Sequence, residues 1–181
     1  MDDETPHQRR RYRASHLPAS LNLGYADLTM KNTDGRMMLH PSLTERLDRL
    51  AAFLPVFEDP GFSFGLWIGG KSMPHLQVHM PSFVPSDPAE AFVRMAHDMG
   101  WVLSDFDWKS WKVGGEAGEL LNNSETLARA TPEQLAKLLT VLVRQDRFVE
   151  GSLAQAFDSG FLVAIVRRAD ALRREISTEE R

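Results

Sequence analysis

One stretch decides how the second half of this chain packs, namely Asp146-Arg147-Phe148-Val149-Glu150-Gly151-Ser152-Leu153-Ala154-Gln155-Ala156-Phe157-Asp158-Ser159-Gly160-Phe161-Leu162. It places charged residues, aromatic residues and two glycines between two strongly helical segments. An ion pair of Arg147 with Glu150 or Asp158 would fix the crossing of the two helices, and this structural role is favoured. The alternative is an electropositive notch that binds an anionic ligand, with Arg144 beside it and Arg167 one helix further on.

The composition bounds the class of protein. The chain has 181 residues, 43% of them hydrophobic and 25% charged, as is ordinary for one soluble domain. It contains no cysteine, which excludes disulfides, thiolate zinc sites and cysteine nucleophiles. No apolar run approaches the ~20 residues that span a bilayer, and no signal-peptide core follows Met1. We therefore expect a cytoplasmic protein with no membrane partner, and the net charge of -4 gives no global attraction to nucleic acid.

The chain is expected to divide near residue 40. Residues 1–20 are predicted to be a flexible basic tail, because they carry too little apolar surface to offset the entropy of ordering. Residues 21–40 are a poorly defined extension in which Asp34-Gly35 indicates a turn between two short strands. The cations of the tail are Arg9, Arg10, Arg11 and Arg13. A solvated tail is favoured, but these arginines could also act as an arm that binds nucleic acid phosphates.

Residues 41–176 are predicted to form a single globular domain of the α+β class, in which a small antiparallel sheet packs with N-terminal helices and a helical C-terminal half. The first helix is expected to begin at the capping box Ser42-Leu43-Thr44-Glu45 and to be ended by Pro55 and the Asp59-Pro60-Gly61 cluster. Its expected apolar face is Leu43, Leu47, Leu50, Ala51 and Leu54. A second helix runs from an N-cap at Asp87 to a left-handed C-cap at Gly100. Further helices are predicted at 115–122, from the capping box at Thr131, and on both sides of Gly160 out to about Glu175.

Alternating residues predict the sheet. A β-hairpin is expected over residues 62–80, with a turn at Gly69-Gly70-Lys71-Ser72. Its expected core face is Phe62, Phe64, Leu66 and Ile68 in the first strand, and Leu76, Val78 and Met80 in the second. Residues 101–108 are predicted to be a third strand, with Asp105 and Asp107 on one face and Phe106 and Trp108 on the other.

Three patterns resemble chemical motifs but fail on spacing. His75 and His79 on a strand would start ~13 Å apart, which is too far for one metal ion. Gly69-Gly70-Lys71-Ser72 lacks the upstream glycine of a phosphate-binding loop and joins two strands. The run from Gly114 to Gly118 lacks the glycine pattern of a dinucleotide fingerprint. We therefore expect no metal site and no cofactor, and we assign no catalytic residue.

The remaining candidates for binding a ligand or partner are aspartates and tryptophans. Asp105 and Asp107 would sit ~7 Å apart on a strand and could hold a hard cation or form an acid and base pair, although a solvent-facing role is favoured. Trp101, Trp108 and Trp111 belong to the densest aromatic cluster, for which a place in the core is favoured. Trp111 is the one most free to meet a partner.

The chain resembles a bacterial domain family of unknown function. The resemblance rests on Phe106-Asp107-Trp108, Leu138-Leu139-Thr140 with Arg144, the run from Asp146-Arg147-Phe148 to Arg168, and the region from Phe53-Leu54 to Trp67. It covers about residues 43 to 170. It implies a bacterial or phage origin and one compact domain, and it carries over no catalytic residues.

Three functions stay open. The leading hypothesis is a non-catalytic module that binds an unknown protein partner or self-associates, because no catalytic constellation is present. The second is a nucleic-acid-associated protein that uses the arm from Arg9 to Arg13. The third is an enzyme with a dispersed site at Asp105, Asp107, Arg147 and Glu150. The residues that we expect to bind a ligand or partner are Asp105, Asp107, Trp108, Trp111, Arg147, Glu150 and Arg167.

Overall fold

The computed structural model describes residues 41–70 and 80–179. The expectations for the tail, for the 21–40 extension and for residues 71–79 fall outside the described residues. The last range holds Lys71 and Ser72 of the expected turn, Leu76 and Val78 of the expected second strand, and His75 and His79. In chain order the helices are α1 (Leu43–Ala51), α2 (Leu54–Phe57), α3 (Asp87–Asp98), α4 (Trp108–Lys112), α5 (Gly115–Asn122), α6 (Ser124–Ala128), α7 (Pro132–Asp146), α8 (Ser152–Asp158) and α9 (Phe161–Glu179). The strands are β1 (Gly65–Ile68) and β2 (Ser82–Pro85), which pair antiparallel. The predicted α+β class is confirmed.

Local capping chemistry sets most helix boundaries where the sequence placed them. Ser42 Oγ accepts a hydrogen bond from the Glu45 backbone N–H at 3.1 Å, and Thr131 forms the expected capping box with Gln134. Gly100 ends α3 with a φ of +67°. Two details differ. The N-cap of α3 is Ser86 rather than Asp87, and Pro55 opens the short α2, where a missing N–H is harmless, instead of ending α1.

The strand that pairs with β1 in the described residues begins after the predicted second strand, whose residues Leu76 and Val78 fall outside the described residues. β1 pairs with Ser82–Pro85, so that Leu66 lies opposite Val84 and Ile68 opposite Ser82. Met80, expected in the strand, lies outside it and is exposed. Pro81 and Pro85 favoured a loop in the sequence, because proline is rare inside a strand, and so this strand was not predicted. Pro85 is tolerated because it ends the strand, where the sheet needs no N–H from it.

The predicted third strand at 101–108 is wrong. The backbone N–H groups of Trp101 and Val102 donate to the Ala96 carbonyl in the last turn of α3. Side chains of α7 satisfy the next residues, since Thr140 Oγ1 accepts from Leu103 N–H at 2.9 Å and Arg144 donates to the carbonyls of Leu103, Ser104 and Phe106. This segment therefore has hydrogen-bond partners without a neighbouring strand, and α4 begins at its end.

The core forms where α1, α2 and α3 meet α7, α8 and α9. Its aromatic centre is Phe57, whose ring lies 5.2 Å from that of Phe92 and 5.4 Å from that of Phe157. Phe64 joins this cluster at 5.5 Å from Phe157 and is buried. The expected core face of the hairpin ends there, because Leu66 and Ile68 extend beyond the core and are exposed.

Candidate interaction surface

The turn between α7 and α8, residues 147–151, is tied to the hairpin by Glu150. One oxygen of its carboxylate accepts hydrogen bonds from the Phe83 backbone N–H at 2.8 Å and from Ser82 Oγ at 2.9 Å. The ion pair predicted for Arg147 with Glu150 or Asp158 does not form, and within the described ranges Arg147 makes no ion pair at all. Glu150 instead holds the turn against β2, so that the turn and the hairpin keep a fixed position relative to each other.

Gly151 brings the turn against the indole of Trp67. Its φ of +80° lies in the left-handed region, and a Cβ at this position would lie 2.7 Å from Cζ2 of Trp67. Asp146 completes the turn, because its carboxylate accepts from the Leu153 N–H at 2.9 Å and so caps α8 from the end of α7. The sequence predicted that residues 146–162 connect two helices. The structure adds that this connection supports a strand.

Six large apolar side chains on the hairpin and the turn face solvent. We call them the hairpin–turn surface: Leu66, Trp67, Ile68, Val84, Phe148 and Val149. Their exposed fractions run from 42% for Val84 to 72% for Phe148. The contact of Trp67 with Gly151 and the bonds of Glu150 to β2 join the two parts. Because side chains alternate along a strand, Leu66, Ile68 and Val84 lie on one face of the sheet, and Trp67 lies on the other face, against the turn.

Trp108 extends this surface onto α4. Its ring stacks on Phe148 with centroids 6.2 Å apart, and the Lys109 ammonium lies 5.8 Å from the Trp108 ring and 5.5 Å from the Phe148 ring. Asp107 caps α4 by accepting from the Ser110 N–H, and hydrogen bonds from Ser110 hold the pKa of Asp107 below its ordinary value of 3.8. Asp107 therefore has a structural role at the start of the helix that presents Trp108.

The other predicted site residues have separate partners. Trp111 is half-buried and donates from Nε1 to Glu116 at 2.6 Å. Asp105 accepts from its neighbour Ser104, and Arg167 pairs with Glu58 at 2.6 Å, which links α9 to the end of α2. The structure thus brings Trp108 and Glu150 to one surface through Phe148, and it does not join Asp105 or Arg167 to them by any contact between described residues.

The charges of Arg147 and Arg144 at the end of α7 act on His97 of α3. Burial is the first cause that holds the pKa of His97 below its ordinary value of 6.5, and the positive charge of Arg147 comes second. Arg144 adds to the effect, although carbonyl groups occupy its guanidinium. Across the described residues, no group of three or more His, Asp or Glu side chains is arranged to hold a metal ion.

An open groove of about 730 Å³ lies over α7, between α5–α6 and α8–α9. Leu121, Leu127, Leu142 and Phe161 give it apolar walls, and Lys112 is the charged residue in its lining. No residue that the sequence singled out for binding lines this groove.

Leu66 and Ile68 were missed as surface residues. Their alternation with Phe62 and Phe64 predicted that they face the core, but the core ends at Phe64 and both are exposed. Trp67 was expected on the opposite face of the strand and was not singled out for binding.

Comparison with known proteins gives a family but no function. In the described part of the chain, no helix is both long and apolar enough to cross a membrane. Neither the curated proteins nor the solved structures contain a match to this chain. A family model described as a family of unknown function, DUF6508, matches residues 42–175, which is most of the chain and includes the hairpin, the turn and α4. The chain belongs to this family of unknown function.

Proposed function

We propose that this protein is a non-catalytic binding module that docks a protein partner through the hairpin–turn surface. The observation that carries the proposal is the exposure of Trp67 and Phe148, at 54% and 72%, on elements whose backbones are held in place. Aromatic side chains that are fixed and exposed are the residues that contribute most to protein interfaces. The bacterial and cytoplasmic setting expected from the sequence is part of the same proposal.

The carboxylates near this surface support binding rather than catalysis. Glu150 bonds to β2, Asp146 caps α8 and Asp107 caps α4. A general acid or base must be free to reach a substrate proton, and each of these groups already accepts hydrogen bonds from the protein backbone. Their positions stiffen the turn and α4, which lowers the entropy that an interface loses on docking.

A photoreactive phenylalanine analogue at position 148 tests the proposal directly. We expect the full-length protein that carries it to form a discrete covalent adduct in extract of its own cells upon irradiation. The matched control places the same analogue at Val113, which is 86% exposed but outside the hairpin–turn surface. An adduct at position 148 that is absent at position 113 supports the proposal.

Competition makes this result specific. An excess of the unmodified protein should suppress the adduct, whereas an excess of the Trp67→Asp variant should not. Equal labelling at positions 148 and 113, or an adduct that both competitors suppress alike, would show that the hairpin–turn surface is not the binding site.

A further inference from the structure

The register of the sheet shows which backbone groups point away from it. Ser86 N–H donates to the Phe64 carbonyl at 2.9 Å, and Leu66 and Ile68 lie opposite Val84 and Ser82. Hydrogen-bonded pairs alternate along an antiparallel ladder, so these are the pairs that exchange bonds within the sheet. Consequently, the backbone groups of Gly65 and Trp67 point outward from β1, and those of Phe83 point outward from β2.

The outer edge of β2 is closed to a further strand. Its outward N–H at Phe83 already donates to Glu150 at 2.8 Å. Pro85, the next outward position, has no N–H to offer. A carboxylate and a proline on an edge strand are common means by which proteins prevent an added strand from pairing there.

Within residues 41–70 and 80–179, no strand pairs with the outer edge of β1. The Ser63 hydroxyl donates a hydrogen bond to the Gly65 carbonyl at 2.8 Å. The backbone N–H and carbonyl of Trp67 have no hydrogen-bond partner among the residues that the structure describes. The side chains on both sides of Trp67 along the strand are Leu66 and Ile68, at 56% and 49% exposure. A strand edge with unpaired backbone groups and exposed apolar side chains is a ready template for pairing with a strand of another chain.

We infer that β1 pairs with β1 of a second copy of this chain, antiparallel about a two-fold axis at Trp67, to form a four-stranded sheet. This inference rests on the proposed function, because it names the partner of the hairpin–turn surface. With Trp67 opposite its copy, each one donates its N–H to the carbonyl of the other. The symmetry of a two-fold dimer requires this reciprocity.

The same register makes the strand complementary to itself. Leu66 lies opposite Ile68 of the second copy in both halves, which gives two apolar cross-strand pairs at the close spacing of non-hydrogen-bonded positions. Gly65 lies opposite Gly69, so no Cβ opposes another at the ends. Residues 61–70 carry no charge, so the two copies bring no like charges together across the axis.

Sedimentation velocity on the full-length protein tests the dimer. We expect the native chain to sediment as a dimer, and we expect Leu66→Lys and Ile68→Lys to raise its dissociation constant about tenfold or more. Trp67→Pro should do the same by removing the outward N–H without removing a bond between β1 and β2. Val113→Lys, which introduces the same charge at an exposed apolar site elsewhere, should leave the dimer unchanged.

Each other outcome overturns the inference. The inference is wrong if the native chain is monomeric at the highest attainable concentration. It is also wrong if the dimer persists in all three β1 variants, or if Val113→Lys weakens the dimer as much as they do. Unchanged far-UV circular dichroism verifies that each variant is folded. If the native chain is a monomer but still forms the adduct at position 148 with another protein, the self-pairing is overturned and the proposed function stands. If no adduct forms at position 148, the proposed function is overturned.

Discussion

Gly151 is the residue on which the position of the turn depends. Its φ of +80° disfavours any residue with a Cβ, and the ring of Trp67 fills the space that a Cβ would enter. We predict that Gly151→Ala destabilises the protein by about 2 kcal/mol or more, from backbone strain and the clash together. Urea denaturation followed by circular dichroism measures the loss.

Gly160→Ala is the matched control for this substitution. Gly160 has nearly the same backbone conformation, with a φ of +78°, but nothing lies within 4 Å of the position of its Cβ. It should therefore lose about 1 kcal/mol, from backbone strain alone. Equal losses at the two glycines would mean that Trp67 moves aside freely and that the hairpin is not held by the turn.

Glu116 gives a residue-scale prediction about pH. Hydrogen bonds from Trp111 first and Gln134 second, with Lys137 nearby, hold the pKa of this carboxyl below its ordinary value of 4.5. A lowered folded pKa stabilises the protein above the unfolded pKa, and the contribution is lost as the pH falls through the folded pKa. Glu116→Gln should therefore reduce the acid-induced drop in the free energy of unfolding between pH 7 and about pH 3.5.

Glu119→Gln is the control for Glu116→Gln, on the same helix. The Glu119 side chain is exposed and makes no hydrogen bond or ion pair with any described residue. Its substitution should leave the acid-induced drop as it is in the native chain. The Glu116 carboxyl is itself 40% exposed, so the effect is partly screened by solvent. An identical pH dependence in both variants would contradict the role given to Glu116.

At the scale of elements, α7 holds the segment that the sequence predicted as a strand. Thr140 is fully buried, and its hydroxyl accepts from Leu103 N–H and donates to a carbonyl of its own helix or to that of Trp101. Thr140→Val keeps the shape and leaves the Leu103 N–H without this acceptor. We predict a loss of about 1–3 kcal/mol in the free energy of unfolding.

Thr178→Val on α9 separates this effect from a change in helix propensity. The Thr178 hydroxyl donates to the Arg174 carbonyl at 2.9 Å, but the residue is exposed and water can replace that bond. The substitution should change stability by less than about 0.5 kcal/mol. If both valine variants unfold at the same urea concentration, the bond to Leu103 contributes nothing that solvent could not supply.

Helices were predictable from the sequence because their boundaries are set by residues close together in the chain. Ser42 with Glu45 and Thr131 with Gln134 are such pairs, three residues apart. β1 was also predicted from its alternation, but the strand that pairs with it and the partners of residues 101–108 were not, because these partners lie far away in the chain. The residues around Leu103 do not indicate that Thr140 accepts its N–H. Those around Phe83 do not indicate that Glu150 accepts the outward N–H of β2.

The candidate surface was predictable in part for the same reason. Trp108 and Glu150 could be singled out as residue types that bind, and both lie on or beside the exposed surface. Their relation to Trp67 depends on tertiary contacts across Gly151 and could not be read from spacing. Asp105 and Arg167 were chosen for charge alone, and the structure gives them local partners.

At the scale of the whole molecule, the core and the hairpin differ in how much apolar surface they bury. The core is closed by α9, which buries Leu162, Ile165, Val166, Ala169 and Leu172. The hairpin beyond Phe64 buries little and keeps three large apolar side chains of β1 in water. The proposed interface would give these side chains a physical role, because large exposed apolar patches are typical of interaction sites.

The unit that folds should be residues 41–179, which contain every residue of this core and the whole match to the family. We predict that this fragment unfolds cooperatively, with a midpoint within about 2 °C of the full chain by calorimetry. A fragment of residues 41–160, without α9, should not unfold cooperatively, because burying five apolar side chains contributes about 10 kcal/mol, comparable with the whole stability of a domain. A clear drop in the midpoint on removing residues 1–40 would instead place that segment within the folded unit.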